Sequence, residues 1–154
     1  MVSYTVRQVP IERTFALRKA VLRPHLGSEQ DYLISDDFDP TTVAFAALRE
    51  EDNSVISVAR VAPEPPPFDA DGLRGWRLRS MATDPSVRNQ GVGGAVLQSA
   101  IEYTASRGGG IFWCNARVPA KGLYARGGLE TWGEVWEEPD IGPHIVMWRR
   151  VEPA

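Results

Sequence analysis

The chain has 154 residues, 43% of them hydrophobic and 24% charged, with a formal net charge of −3. That length and balance suit one ordinary domain with its own core and give no support to a broadly basic nucleic-acid binder. The single cysteine, Cys114, excludes an internal disulfide and a Cys-rich zinc site; no apolar run is long enough to span a membrane, and the opening MVSYTVRQVP lacks a signal-peptide core, so the expectation is a cytoplasmic protein.

Residues 3–9 read as a strand. Pro10 then opens a helical pattern in which Ile11, Phe15, Arg18 and Leu22 share a stripe widened by Leu17 and Val21, and Pro24 stops it. Residues 25–40, His25 included, read as a loop or a short second helix. Asp36, Asp37, Asp39 and Pro40 are turn formers in an exposed acidic stretch. Two strands around the polar turn EEDNS form a hairpin, the first with Val43, Phe45 and Ala47 on one face, the second SVISVARV. The stretch 62–74 is too rich in Pro, Gly and Asp for regular structure and reads as a long exposed loop.

A third strand covers 75–83, a turn 84–90, and a helix 91–107 with Val92, Val96, Ala100 and Tyr103 on one side. Three glycines end that helix. A buried strand at 111–117, a short helix at 120–126 closed by Gly127 and Gly128, and strands at 129–136 and 143–150 complete the chain. Trp113, Trp132, Trp136 and Trp148 fall in strands and read as core, with Trp76 nearer the surface. The order is β-α-β-β-β-α-β-α-β-β. Its central strand–helix–strand unit requires a parallel pair, whereas the hairpins require antiparallel ones. The class is α/β with mixed α+β character, a single mixed sheet with helices on both faces, and residues 1–154 form one domain.

The segment from Met81 to Gly94 carries the chemistry. A strand ends, a polar turn follows, and a helix begins with Gly91, Gly93 and Gly94 within four residues. Glycine at a helix start costs up to about 1 kcal/mol against alanine. It makes sense where backbone must approach a ligand, although such a turn can also be mere geometry. The first amides of a helix lack internal partners and carry the positive end of its dipole, which suits phosphate. Arg88 adds a full charge. Three nucleotide readings fail: no Walker A is present, Val96 stands where the dinucleotide fingerprint needs its last glycine, and the chain is too short for a kinase. Arg74, Arg77, Arg79 and Arg88 form a charge run that could face an acidic ligand.

What fits is Arg88-Asn89-Gln90-Gly91-Val92-Gly93. With the turn Ala82-Thr83-Asp84-Pro85 before it, and Ala120-Lys121-Gly122-Leu123-Tyr124-Ala125-Arg126-Gly127-Gly128-Leu129 after it, this resembles the acyl-coenzyme A core of the GNAT (Gcn5-related) N-acetyltransferase superfamily. Leu129 replaces the usual Phe, and Gly127 stands where a Leu is common. The stretches Leu17–Pro24 and Gly133–Met147 are similar to the ElaA-like branch. The resemblance implies a GNAT-like fold, mostly antiparallel with one splayed parallel pair, and transfer of acetyl from acetyl-CoA to a small-molecule or peptide amine. A noncatalytic acyl-CoA-binding sensor is the alternative.

The resemblance also implies roles. Amides of Arg88, Asn89, Gln90, Gly91, Val92, Gly93 and Gly94 would hold the pyrophosphate. Met81, Ala82 and Thr83 would offer backbone groups to the pantetheine arm, and one of their amides would polarise the thioester carbonyl. Tyr124 would protonate the departing sulfur, although by spacing alone it is equally an amphipathic core residue. Asn115 would contact the cofactor or sit as a satisfied amide. Glu134 and His144 are candidates for taking the amine's proton, with Glu137 and Glu138 nearby, and water may serve instead. Cys114 reads as packing, because nothing beside it would activate a thiol. No metal site, nucleic-acid partner or membrane contact is expected. Relatives that pair through their last strands keep a homodimer open.

Overall fold

The structure, a computed structural model, describes residues 1–22, 24 and 33–154; His25 and the first part of the expected 25–40 loop lie outside them. Strand β1 (Tyr4–Val9) alternates half-buried and exposed residues over most of its length, as a strand with one wet face should. It pairs antiparallel with β2 (Val43–Arg49), and β2 pairs antiparallel with β3 (Val55–Pro63). The expected hairpin turn is closed by the Arg49 amide donating to the Ser54 carbonyl at 2.9 Å. Strands β4 (Gly75–Thr83), β5 (Gly110–Arg117), β6 (Glu130–Glu138) and β7 (Gly142–Val151) complete one seven-stranded sheet in the order β1-β2-β3-β4-β5-β7-β6. Only β4 and β5 run parallel.

Helix α1 (Phe15–Leu22) follows a 3-10 turn at Ile11–Thr14, so the α-helical part starts five residues later than Pro10. Helices α2 (Val92–Ser106) and α3 (Lys121–Arg126) fall close to their expected bounds. The apolar stripe of α2, including Val92, Val96, Leu97, Ala100 and Ile101, packs on Phe45, Val61, Leu78 and Phe112. Each such fully buried side chain contributes about 1.5–3 kcal/mol. Leu17 of α1 packs instead on Ala46, Leu48, Val58 and Ala82. Phe45 and Ala46 are consecutive in one strand, so the two helices cover opposite faces.

Two expectations about surface need correction. The 62–74 segment is not simply an exposed loop. Its Phe68, Ala70 and Leu73 cover Ile111, Trp113 and Val146 on the α1 face, in a cluster to which none of α1, α2 and α3 contributes. Trp113 Nε1 anchors the loop by donating to the Glu64 carbonyl at 2.9 Å. Trp76 is only 3% exposed and its Nε1 donates to the Gly109 carbonyl at 3.2 Å, whereas Trp132, expected in the core, is 43% exposed.

The acidic stretch is corrected as well. Asp37 is buried, not exposed, and lies beneath two buried arginines. It accepts from Arg18 of α1 at 3.0 and 3.1 Å, from Arg60 of β3 at 2.9 Å, and from the Ile34 amide at 2.7 Å. Asp36 takes a second bond from Arg60 at 2.6 Å. Arg18 can therefore lie on an otherwise apolar helical stripe, because its charge is answered inside the fold. Burial alone would raise the Asp37 carboxyl. The bonds from Arg18, Ile34 and Arg60 outweigh it and hold the group below the ordinary aspartate range.

Removing one member of such a buried group leaves its partners' charge uncompensated. Asp37→Asn should cost roughly 3 kcal/mol or more in chemical denaturation. Because the folded-state value is depressed, this contribution is complete above about pH 4 and is lost as the pH falls further. The acid limb of the wild-type stability profile should therefore flatten in Asp37→Asn.

Candidate active site

The parallel ladder between β4 and β5 is short. It joins Gly75 to Ile111, Trp76 to Phe112 and Arg77 to Trp113, and then stops. Beyond it, β4 continues to Thr83 paired with β3, and β5 continues to Arg117 paired with β7. The divergence begins at a bulge. Val58 faces Ala82 and Arg60 faces Arg79, so Ser80 and Met81 together oppose Ala59, and Ser80 takes a left-handed φ of 59°. A bulge sharpens the local twist and turns the strand away from its neighbour. It also resets the alternation: Leu78 and Met81 pack on the α2 face and Ala82 on the α1 face.

The gap is the mouth of a cleft of about 900 Å³, within the range of small-ligand sites. Met81, Ala82 and Thr83 line one side of it, and Cys114, Asn115 and Arg117 the other. At one end lies the glycine turn. Asp84 caps the 3-10 turn at Pro85–Val87 by accepting from the Ser86 amide at 2.9 Å. Asn89 and Gly91 then take left-handed φ values of 63° and 80°. Gly91 is there for that conformation, since a Cβ would meet nothing within 4 Å. Gly93 is there for closeness, since a Cβ would lie 3.0 Å from Thr83 Oγ1. Among the described residues, no hydrogen bond takes up the amides of Asn89, Gln90 or Gly91. Those of Val92, Gly93 and Gly94 lie in the first turn of α2, where no intrahelical acceptor exists. Arg88, Asn89, Gly91, Val92, Gly93 and Gly94 all line the cleft. Gln90 does not; its Oε1 accepts from the Val2 amide at 2.8 Å.

Helix α3 brings Tyr124 under the gap. The residue is 6% exposed, lines the cleft, and makes no side-chain hydrogen bond among the described residues. Burial, and then the neighbouring Cys114, push its hydroxyl well above the ordinary tyrosine range, while the charge of Arg117 works the other way. Asn115 is solvent-exposed in the cleft and has no side-chain hydrogen-bond partner among the described residues, so it is not a satisfied buried amide. His144 sits opposite Arg117 in the β5–β7 ladder and stacks on Trp136 at 5.7 Å. Its Nδ1 lies 2.9 Å from the Gly142 carbonyl, which can only accept, so Nδ1 is the donor and, in the neutral ring, the lone pair sits on Nε2.

Glu134 stands apart. It is exposed on β6, within the register irregularity between Trp132 and Trp136, and does not line the cleft, whereas Glu138 does. Of the arginine run, Arg74 covers the Trp76 ring, while Arg77, Arg79 and Arg88 line the cleft, Arg77 paired there with Glu64 at 2.8 Å. Arg117 and Trp136 join the site without any spacing signal, since their place depends on how β5, β6 and β7 align. Among the described residues no group of three His, Cys, Asp or Glu could hold a metal ion, and no helix is long and apolar enough to cross a membrane.

Residues 11–128 match the sequence model of the Acetyltransferase (GNAT) family. An uncharacterised N-acetyltransferase of Bacillus subtilis, YitI, is 34% identical over 149 residues, covering 97% of each chain. Among solved structures, Escherichia coli ElaA shares the fold with a TM-score of 0.75 at 17% identity, over 96% of this chain and 99% of that one. An aminoglycoside 6'-N-acetyltransferase complexed with coenzyme A does so with a TM-score of 0.75 at 14% identity, over 97% and 98%.

Cys114 provides a direct test of how dry the floor of the cleft is. Burial pushes its thiol up to about 12, although Arg77 opposes this slightly. At pH 8 only about one molecule in ten thousand should carry the thiolate, the reactive form. An aromatic disulfide reagent should leave the native protein unlabelled and titrate one thiol after unfolding in guanidinium.

Proposed function

Because the chain belongs to the GNAT acetyltransferase family, and is thereby an acetyl-CoA-dependent acyltransferase, we propose that it acetylates an amine by direct transfer, with Tyr124 as general acid, and that residues 1–154 act as one catalytic domain. Acetyl-CoA supplies a thioester whose carbonyl carbon accepts the amine lone pair. The observation that carries the reading is the joint placement of open α2 amides, the β4–β5 gap and Tyr124 along one cleft.

The amides from Asn89 to Gly94, with Arg88, suit a diphosphate: they add the helix dipole to a full positive charge. The edge of β4 past Arg77 has no partner strand, so Met81, Ala82 and Thr83 can offer main-chain groups to the amides of the pantetheine arm. An amide of this edge aimed at the thioester oxygen would stabilise its developing negative charge. As the new C–N bond forms and the C–S bond breaks, the phenol of Tyr124 gives its proton to sulfur. Burial keeps that phenol protonated until then, and Arg117 favours the phenolate that remains. The attacking nitrogen gives up a proton in turn, for which Nε2 of His144 or water serves. Glu134 takes no part in this reading, since it does not line the cleft.

Tyr124→Phe should lower turnover at least tenfold, with acetyl-CoA binding intact, as followed by thiol release and by thermal shift. Unchanged turnover would remove Tyr124 from the mechanism. In the wild type, acetyl-CoA should raise the melting temperature well beyond what ATP or NAD does at equal concentration. Equal stabilisation by the three would point to a plain phosphate site instead.

A further inference from the structure

The ionisable groups around the remaining half of the cleft leave an excess of positive charge. The α1 face of the gap carries Arg60 on β3 and Arg79 on β4, which are register partners, with Arg77 stacked on Trp113 at 5.0 Å and Arg18 above them. Three carboxylates pair with three of these four guanidiniums. Asp37 holds Arg18 at 3.0 Å, Asp36 and Asp37 hold Arg60 at 2.6 and 2.9 Å, and Glu64 holds Arg77 at 2.8 Å. Arg79 lines the cleft and has no hydrogen bond or ion pair among the described residues. Burial and the like charges of Arg77 and Arg60 lower the affinity of its guanidinium for its proton, outweighing the opposite pull of the Glu64 and Asp36 carboxylates. On the facing strand Arg117 also lines the cleft, with the Leu22 carbonyl at 3.3 Å as its hydrogen-bond partner and no carboxylate paired with it among the described residues. Glu138 is the only carboxylate among the described cleft-lining residues, and its Oε2 already accepts from Trp136 Nε1 at 3.2 Å.

We propose that the acceptor is a primary amine that also carries an anionic group, a carboxylate or a phosphate, and that Arg79 binds that group. The proposal rests on the acetyl-transfer reading above and adds the substrate class. A guanidinium offers paired donors in a plane, which match two oxygens of either anion. A half-buried cation with no partner gains more from an anion than an exposed one does, because part of its desolvation has already occurred on folding. A polycationic amine would meet Arg79 and Arg117 with like charge, an arrangement that rejects partners.

The test is thiol release from acetyl-CoA with matched amines: amino acids against their amides, and phosphorylated amino alcohols against the free alcohols, with spermidine as the polycation. The anionic member of a pair should show a kcat/KM at least roughly tenfold higher. The carboxylate and phosphate series separate the two sources of charge. Arg79→Gln should erase that ratio while acetyl-CoA still stabilises the variant; Arg79→Lys, which keeps the charge but not the planar fork, should retain part of it and replaces the Gln variant if that one does not fold. Preference for neutral or polycationic amines overturns the proposal. So does an unchanged ratio in Arg79→Gln, or no thiol release with any anionic amine although acetyl-CoA stabilises the wild type. Failure of acetyl-CoA to stabilise the wild type sinks the donor reading instead.

Discussion

The interaction on which the site depends is the parallel ladder that ends at Arg77 and Trp113. Opening a sheet in its middle would ordinarily strand main-chain donors and acceptors at a cost of about 1–3 kcal/mol for each one buried. Here each strand keeps a full partner on its other side: β4 keeps β3, and β5 keeps β7 from Gly110–Val151 to Arg117–His144. Only the inner edges lose their ladder, and those edges face an open cleft that water or a ligand can enter. The bulge at Ser80 and Met81 makes the separation possible, since its added twist lets β4 leave β5 without leaving β3.

The two faces of the sheet then divide the work. On one face α2 brings its first turn to the end of β4, where Gly93 permits contact with Thr83, and α3 sets Tyr124 beneath the opening. On the other face α1, β3 and the segment around Asp37 are joined by buried ion pairs, not by apolar packing alone. Such pairs contribute little net stability once desolvation is counted, but they tolerate few alternative arrangements. They hold the α1 face of the cleft in place, and among the described residues none of their carboxylates pairs with Arg79.

Burial sets the chemistry of the floor. Cys114 and Tyr124 share a dry environment, so both are held neutral. For Cys114 that means inertness. For Tyr124 it means a phenol held protonated, with the charge of Arg117 acting the other way.

Sequence by itself determined the element order, the bounds of β4, α2 and α3 to within about two residues, and the glycine turn with Tyr124 downstream of it. These are local facts: period, capping and glycine placement act within a few residues of the chain. Tertiary structure alone decided the rest. The bulge at Ser80 follows from competition between β3 and β5 for one strand. The burial of Asp37 follows from two arginines that reach it from α1 and β3. Trp76 went inward and Trp132 outward because strand position in the sheet, not aromatic character, sets exposure. Glu134 and His144 are both candidate bases along the chain. The register irregularity between Trp132 and Trp136 leaves one in solvent, and the β5–β7 register puts the other in the cleft, a distinction that pairing between distant strands makes and local pattern cannot.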